Sequence, residues 1–131
     1  MKTTALATAL LVSLGSLAAP AGPRDRGDHP HIEPLMRLQP SAEGESTYEL
    51  LIYGDIGESW WNESVTAQSV VLQLNELPAS VATINVRINS FGGSVADGLA
   101  IYNALKRHKA TKAVTVDGVA VSSASLIAMA G

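Results

Sequence analysis

The stretch that decides the fold is Ile88-Asn89-Ser90-Phe91-Gly92-Gly93-Ser94, answered later by a second small-residue turn, Gly118-Val119-Ala120-Val121-Ser122-Ser123-Ala124-Ser125. Ile84, Val86 and Ile88 alternate with Asn85, Arg87 and Asn89, the period of two that marks a strand. The adjacent Gly92 and Gly93 permit positive φ and a close approach by another segment of backbone. Ser94 is a suitable N-cap with Asp97 three residues on, and Val95, Leu99, Tyr102 and Leu105 then predict the apolar face of a helix. Lys106-Arg107-His108-Lys109 falls at its C-terminus, where positive charge complements the helix dipole. A strand-turn-helix junction leaves the first helical amides unpaired, which suits an anion or a developing oxyanion. Two such junctions can form one site, with the glycines of the first beside the serine of the second.

Working outward, Tyr48 to Tyr53 reads as a strand stopped by Gly54-Asp55. Trp60-Trp61 follows, either as a packing anchor or oligomer contact or as part of a substrate groove. Asn62 and Ser64 are suitable helix caps, and Ala67, Val70, Val71, Leu74 and Leu77 recur at helical spacing until Pro78. Ala113 to Val116 predicts a third strand, Asp117-Gly118 a turn, and Ser122 to Ala130 a small-residue helix. Alternating strands and helices imply an α/β domain with parallel strands and right-handed crossovers. Ligands in such sheets bind beyond the carboxyl ends of the strands, where both turns lie.

The chain has 131 residues, 47% hydrophobic and 16% charged, with a formal net charge of −3 and no cysteine. That composition is globular, excludes thiol chemistry, and argues against nucleic acid as a partner. No Asp/Glu/His set has metal-ligand spacing, so neither metal nor cofactor is expected. Residues 1–22 carry a lone Lys2, an apolar run from Ala5 to Ala19 and an Ala19-Pro20-Ala21 end. They read as a secretory signal or a variable leader, too short to span a membrane. Residues 23–46, rich in proline, read as a linker or poorly ordered arm, leaving 47–131 as the folded domain.

Two chemical readings of the serine turn stand side by side. Ser122, Ser123 and Ser125 can simply cap a helix of small residues. Alternatively, a serine there attacks a substrate carbonyl, and the oxyanion meets backbone N–H donors worth roughly 3–4 kcal/mol each in acyl transfer.

The linked motifs Ile88 to Ser94, Gly98-Leu99-Ala100-Ile101-Tyr102, and Gly118-x-Ala120-x-Ser122-x-Ala124-Ser125 through Gly131 resemble the proteolytic subunit of Clp protease, a serine peptidase family of the crotonase-like α/β fold. The glycine-to-serine separation, 122 − 93 = 29, fits that family without a gap. Tyr53-Gly54-Asp55-Ile56 with Ser59-Trp60-Trp61, and Ile101 to His108, are similar to the branch of Clp-related phage head maturation proteases. The resemblance implies Ser122 as nucleophile, the amides of Gly93 and Ser123 as the oxyanion hole, and Ser90, Phe91, Gly92 and Ser94 as the segment that pairs with an extended substrate strand. It also implies polypeptide substrates, a homo-oligomeric ring, an ATPase unfoldase or phage capsid proteins as partners, and a cytoplasmic location, with a periplasmic or secreted peptidase as the rival. The family's histidine base and aspartate follow the nucleophile, whereas this sequence ends at Gly131. His108 precedes Ser122 and does not match the base. The implied state is therefore a C-terminally truncated protease, inactive as it stands, with Leu126, Ile127 and Met129 partly exposed; an assembly subunit of the same fold is the alternative. The cytoplasmic expectation predicts that protein isolated from cells retains residues 3–21 on N-terminal sequencing, and a start just after Ala21 marks the exported peptidase instead.

Overall fold

The computed structural model describes residues 31–58 and 64–131. The leader, Trp60, Trp61 and the expected cap Asn62 lie outside the described residues. In chain order the elements are β1 (Leu35–Pro40), β2 (Thr47–Tyr53), α1 (Ala67–Asn75), β3 (Thr83–Ser90), α2 (Val95–Arg107), β4 (Thr111–Ala120) and α3 (Ser123–Ala128). They form one sheet in the order β1-β2-β3-β4. Strand β1 runs antiparallel to β2, and β2, β3 and β4 are mutually parallel.

The alternation in β3 sends Ile84, Val86 and Ile88 to one face, all fully buried. They join Leu50 and Ile52 of β2, and the helices contribute Val70 and Leu74 of α1, Ile101 and Leu105 of α2, and Ile127 of α3 to the same core. Burying each such side chain stabilises the fold by about 1.5–3 kcal/mol. The other face of the sheet is polar, carrying Glu49, Arg87 and Asp117, which are joined by ion pairs across the strands.

Several expectations are corrected. Leu35–Pro40, inside the stretch read as a linker, is an edge strand paired with β2 from Leu35↔Tyr53 to Pro40↔Tyr48. Its Leu38 N–H is taken by Gln73 Oε1 of α1 at 3.1 Å, so an edge that reads weakly in sequence is fixed from outside. The cap of α1 is Thr66, whose hydroxyl accepts from Ser69 N–H, and not Ser64. Strand β4 runs straight through Asp117-Gly118, where a turn was expected. Helix α2 buries Gly98, Ile101, Ala104 and Leu105, while Val95 and Leu99 are exposed. The buried face is rotated because Gly98 lets α3 approach, a Cβ there lying 2.7 Å from Ser123 Cβ. Of the α3 residues expected at the surface, Met129 is 71% exposed and Leu126 half-buried, but Ile127 is fully buried.

Ser94 caps α2 as anticipated, accepting from Asp97 N–H at 3.2 Å. The Asp97 carboxylate reaches further and accepts from Ala67 N–H, the first residue of α1, at 2.8 Å. Asp97 thus ties the starts of both helices together. The hydrogen bond from Ala67, followed by that from Ser94, holds its carboxyl below the usual carboxylate range. A depressed carboxyl stabilises the fold above its unfolded-state value near 3.9, and that contribution is lost as pH falls through the folded value. Asp97→Ala is expected to lower the unfolding free energy by about 1–2 kcal/mol at neutral pH. The deficit against the wild type should shrink below about pH 4, as read by denaturant melts across pH.

Candidate active site

At the carboxyl end of β3 the chain turns inward at Ser90. Its hydroxyl donates to Gly54 O at 2.6 Å and accepts from Gly92 N–H at 3.0 Å, with no exposure at all. Ser90 was expected to line a groove, and its side chain instead pins the two strand ends together. The signal was present in the sequence, because Ser90 continues the buried phase of Ile84, Val86 and Ile88.

Beyond Ser90 the backbone is held along one edge. Ile56 N–H donates to Gly92 O at 3.0 Å, and Ser94 N–H donates to Ile56 O at 2.7 Å. In this parallel bridge both bonds come from the residues flanking Gly93, so the N–H and C=O of Gly93 point to the opposite side. A side chain at Gly93, with φ +146°, would strike the carbonyl oxygen of Ile56. Gly92 has φ +94°, and a Cβ there would lie 2.6 Å from Val121 O, 2.9 Å from Ser122 Cβ and 3.0 Å from Ser123 N. The two turns picked out in the sequence therefore meet, and Gly92 is the point of contact. Phe91 is half-buried, Ser94 is half-buried, and Gly93 is exposed.

The serine turn is strained. Val121 O accepts from Ala124 N–H at 3.1 Å, and Ser122 sits between them at φ 53° and ψ −128°. These are the angles of the first central residue of a type II′ turn, normally a glycine. Ser122 is the one non-glycine residue with positive φ among the described residues. Holding a side chain there costs about 1–3 kcal/mol, a kind of strain that concentrates at functional sites. The conformation leaves the Ser122 side chain exposed and without the capping hydrogen bond that a helix-starting serine usually makes. The Ser125 N–H and hydroxyl both donate to Ser122 O, at 2.9 and 2.6 Å. Ser123 is 2% exposed, and its hydroxyl has no hydrogen-bond partner among the described residues. No turn or cap hydrogen bond among the described residues uses the amide of Gly93 or of Ser123.

His108 lies elsewhere. It ends α2, whose 13 residues begin just after Ser94, so roughly 20 Å of helix separates it from the glycine turn. There its Nδ1 accepts from Ala110 N–H at 3.2 Å. Burial, then the charges of Lys112 and Lys109, push its pKa down. His31 faces Glu33 near the start of the described chain. Among the described residues no cluster of three or more His, Asp or Glu side chains converges as a metal site requires.

The sheet and its two turns define an α/β protein in which a strained serine turn and a glycine turn meet at the carboxyl ends of the parallel strands. A sequence model of the Clp protease family matches residues 46–131, and the chain belongs to that family. It is 32% identical over 104 residues to a protein described as the ATP-dependent Clp protease proteolytic subunit of Ligilactobacillus salivarius (strain UCC118), covering 72% of this chain and 51% of that one. The fold is similar to that of a ClpP1 mutant from Listeria monocytogenes, with a TM-score of 0.54 and 32% identity over 63% of this chain and 45% of that one. The chain thus spans about half the length of the relatives it matches.

Replacing Ser122 by glycine removes the steric penalty of its positive φ, whereas alanine keeps it. Thermal and urea unfolding should therefore show Ser122→Gly more stable than Ser122→Ala by about 1 kcal/mol. Equal stabilities would mean that the turn relaxes to a conventional helix cap in solution.

Proposed function

We propose that this chain carries the nucleophilic half of a Clp-type serine endopeptidase site. The observation that carries the reading is Ser122 itself, held against Gly92 in a glycine-like conformation, with no side-chain cap hydrogen bond among the described residues. Ser122 attacks the scissile carbonyl and forms the acyl-enzyme. The N–H groups of Gly93 and Ser123 receive the oxyanion. The backbone at Gly93, on the side opposite Ile56, accepts the substrate as an added extended strand. Ser90 acts by pinning that edge and does not touch substrate.

A serine hydroxyl needs a base to take its proton, and His108 is at the wrong end of α2 to serve. The base and its carboxylate partner come from groups outside the described residues. Membership of the Clp family, and a relative described as ATP-dependent, support a homo-oligomeric ring fed by an ATPase unfoldase. The narrower reading as a phage head maturation protease, with capsid proteins as substrates, rests on the Tyr53 to Ile56 and Ile101 to His108 segments.

In the longest natural reading frame that contains this chain, Ser122→Ala should abolish fluorophosphonate labelling and lower peptide hydrolysis by about three orders of magnitude or more. Ser125→Ala should retain labelling. Labelling that survives Ser122→Ala would refute the assignment.

A further inference from the structure

Strand β4 changes register just before the serine turn. Ile88 pairs with Val116 and Ser90 with Ala120, so Asp117, Gly118 and Val119 all lie opposite the single residue Asn89. The two surplus residues take up about 6–7 Å of strand that would otherwise carry Ser122 past Gly92. An Asp-Gly pair is a strong turn former, yet here it remains within the strand, so something must hold it.

The holding groups come from β3, which pairs with β4, and from β2 on its far side. Arg87 of β3 forks onto the Asp117 carboxylate, Nε to Oδ2 at 2.9 Å and Nη2 to Oδ1 at 2.6 Å. The Tyr53 hydroxyl of β2 donates to Oδ2 of the same carboxylate. Asn89 Oδ1 accepts from Val119 N–H at 3.2 Å, and a side chain on Gly118 would collide with that carboxamide. Past the bulge, Val121 N–H donates to Ser90 O at 3.0 Å, and Ser122 is the next residue. An ordinary surface ion pair contributes little. This one is bidentate; the pair lies on an exposed part of the sheet, but its carboxylate is 17% exposed against 43% for the arginine side chain. It also sits where the register breaks, and bulges beside active sites commonly re-aim a side chain.

We propose that Arg87, Tyr53 and Asn89 are positioning residues: by gripping Asp117 and Val119 they fix the bulge of β4, and through it the place where Ser122 meets Gly92. The consequence for catalysis rests on reading Ser122 as the nucleophile; the clamp itself does not.

The test is amide hydrogen exchange, read residue by residue on the 131-residue chain at neutral pH. In Asp117→Asn the Val119 and Val121 amides should exchange about tenfold faster or more, while Thr111 to Val116, upstream of the bulge, keep their rates. The swapped pair Arg87→Asp with Asp117→Arg should restore the protection. Arg87→Lys, which keeps the charge and loses the fork, should raise exchange at Val119 and Val121 by an intermediate factor, and decides the matter if the swapped chain does not fold. Unchanged rates in Asp117→Asn, a rise shared along the whole of β4, or a folded swap without restored protection would each overturn the clamp. The outcome does not depend on Ser122 reacting, so failure of the longest natural reading frame to label with fluorophosphonate would sink the nucleophile and leave the clamp to be judged by exchange.

Discussion

The contact of Gly92 with the Val121 to Ser123 backbone is the constraint on which the rest of the site depends. A Cβ at Gly92 would come within 3.0 Å or less of three atoms of the serine turn, so only glycine lets the two strand ends meet. Each neighbouring feature serves that meeting. Ser90 pins the first turn to Gly54 from below, and Ile56 pairs it along one edge. The β4 bulge withholds two residues of advance, and Gly98 opens α2 so that Ser123 can sit down beside it. The positive φ of Ser122 is the local cost of the arrangement, and the packing of Ile127 under α2 and the sheet helps to offset it.

What was legible in the sequence was whatever repeats with a period. The alternation from Ile84 to Ile88, the apolar spacing of Val70 and Leu74, and the Ser94 cap with Asp97 all appear in the structure as read. What was not legible depends on partners far along the chain. Nothing local marks Leu35–Pro40 as a strand, since its pairing comes from β2 and its outer edge is closed by Gln73. Asp117-Gly118 has the local chemistry of a turn and is kept extended by Arg87, 30 residues away in sequence. The apolar stripe through Val95 and Leu99 misled because the gap at Gly98, not the largest side chains, decides which face of α2 packs.

The candidate site divides in the same way. The spacing of Gly93 and Ser122, and the resemblance it supports, placed both turns in one location, and the structure brings them together there. The inward role of Ser90 could have been taken from its phase in β3, but the backbone angles of Ser122 could not, because serine has no intrinsic preference for them. The reach of Asp97 to Ala67 and the Arg87–Asp117 pair escaped notice, since a carboxylate on a helix start and an arginine on a strand's polar face look like solvated charges until their partners are known.

Whether Ser122 and the amides of Gly93 and Ser123 act on one reacting centre is decided by a structure of the fluorophosphonate adduct in the longest natural reading frame. Phosphorus is expected on Ser122 Oγ, with the phosphonyl oxygen about 2.7–3.1 Å from both nitrogens. An adduct on another residue, or a phosphonyl oxygen turned to solvent away from Gly93 and Ser123, would contradict it.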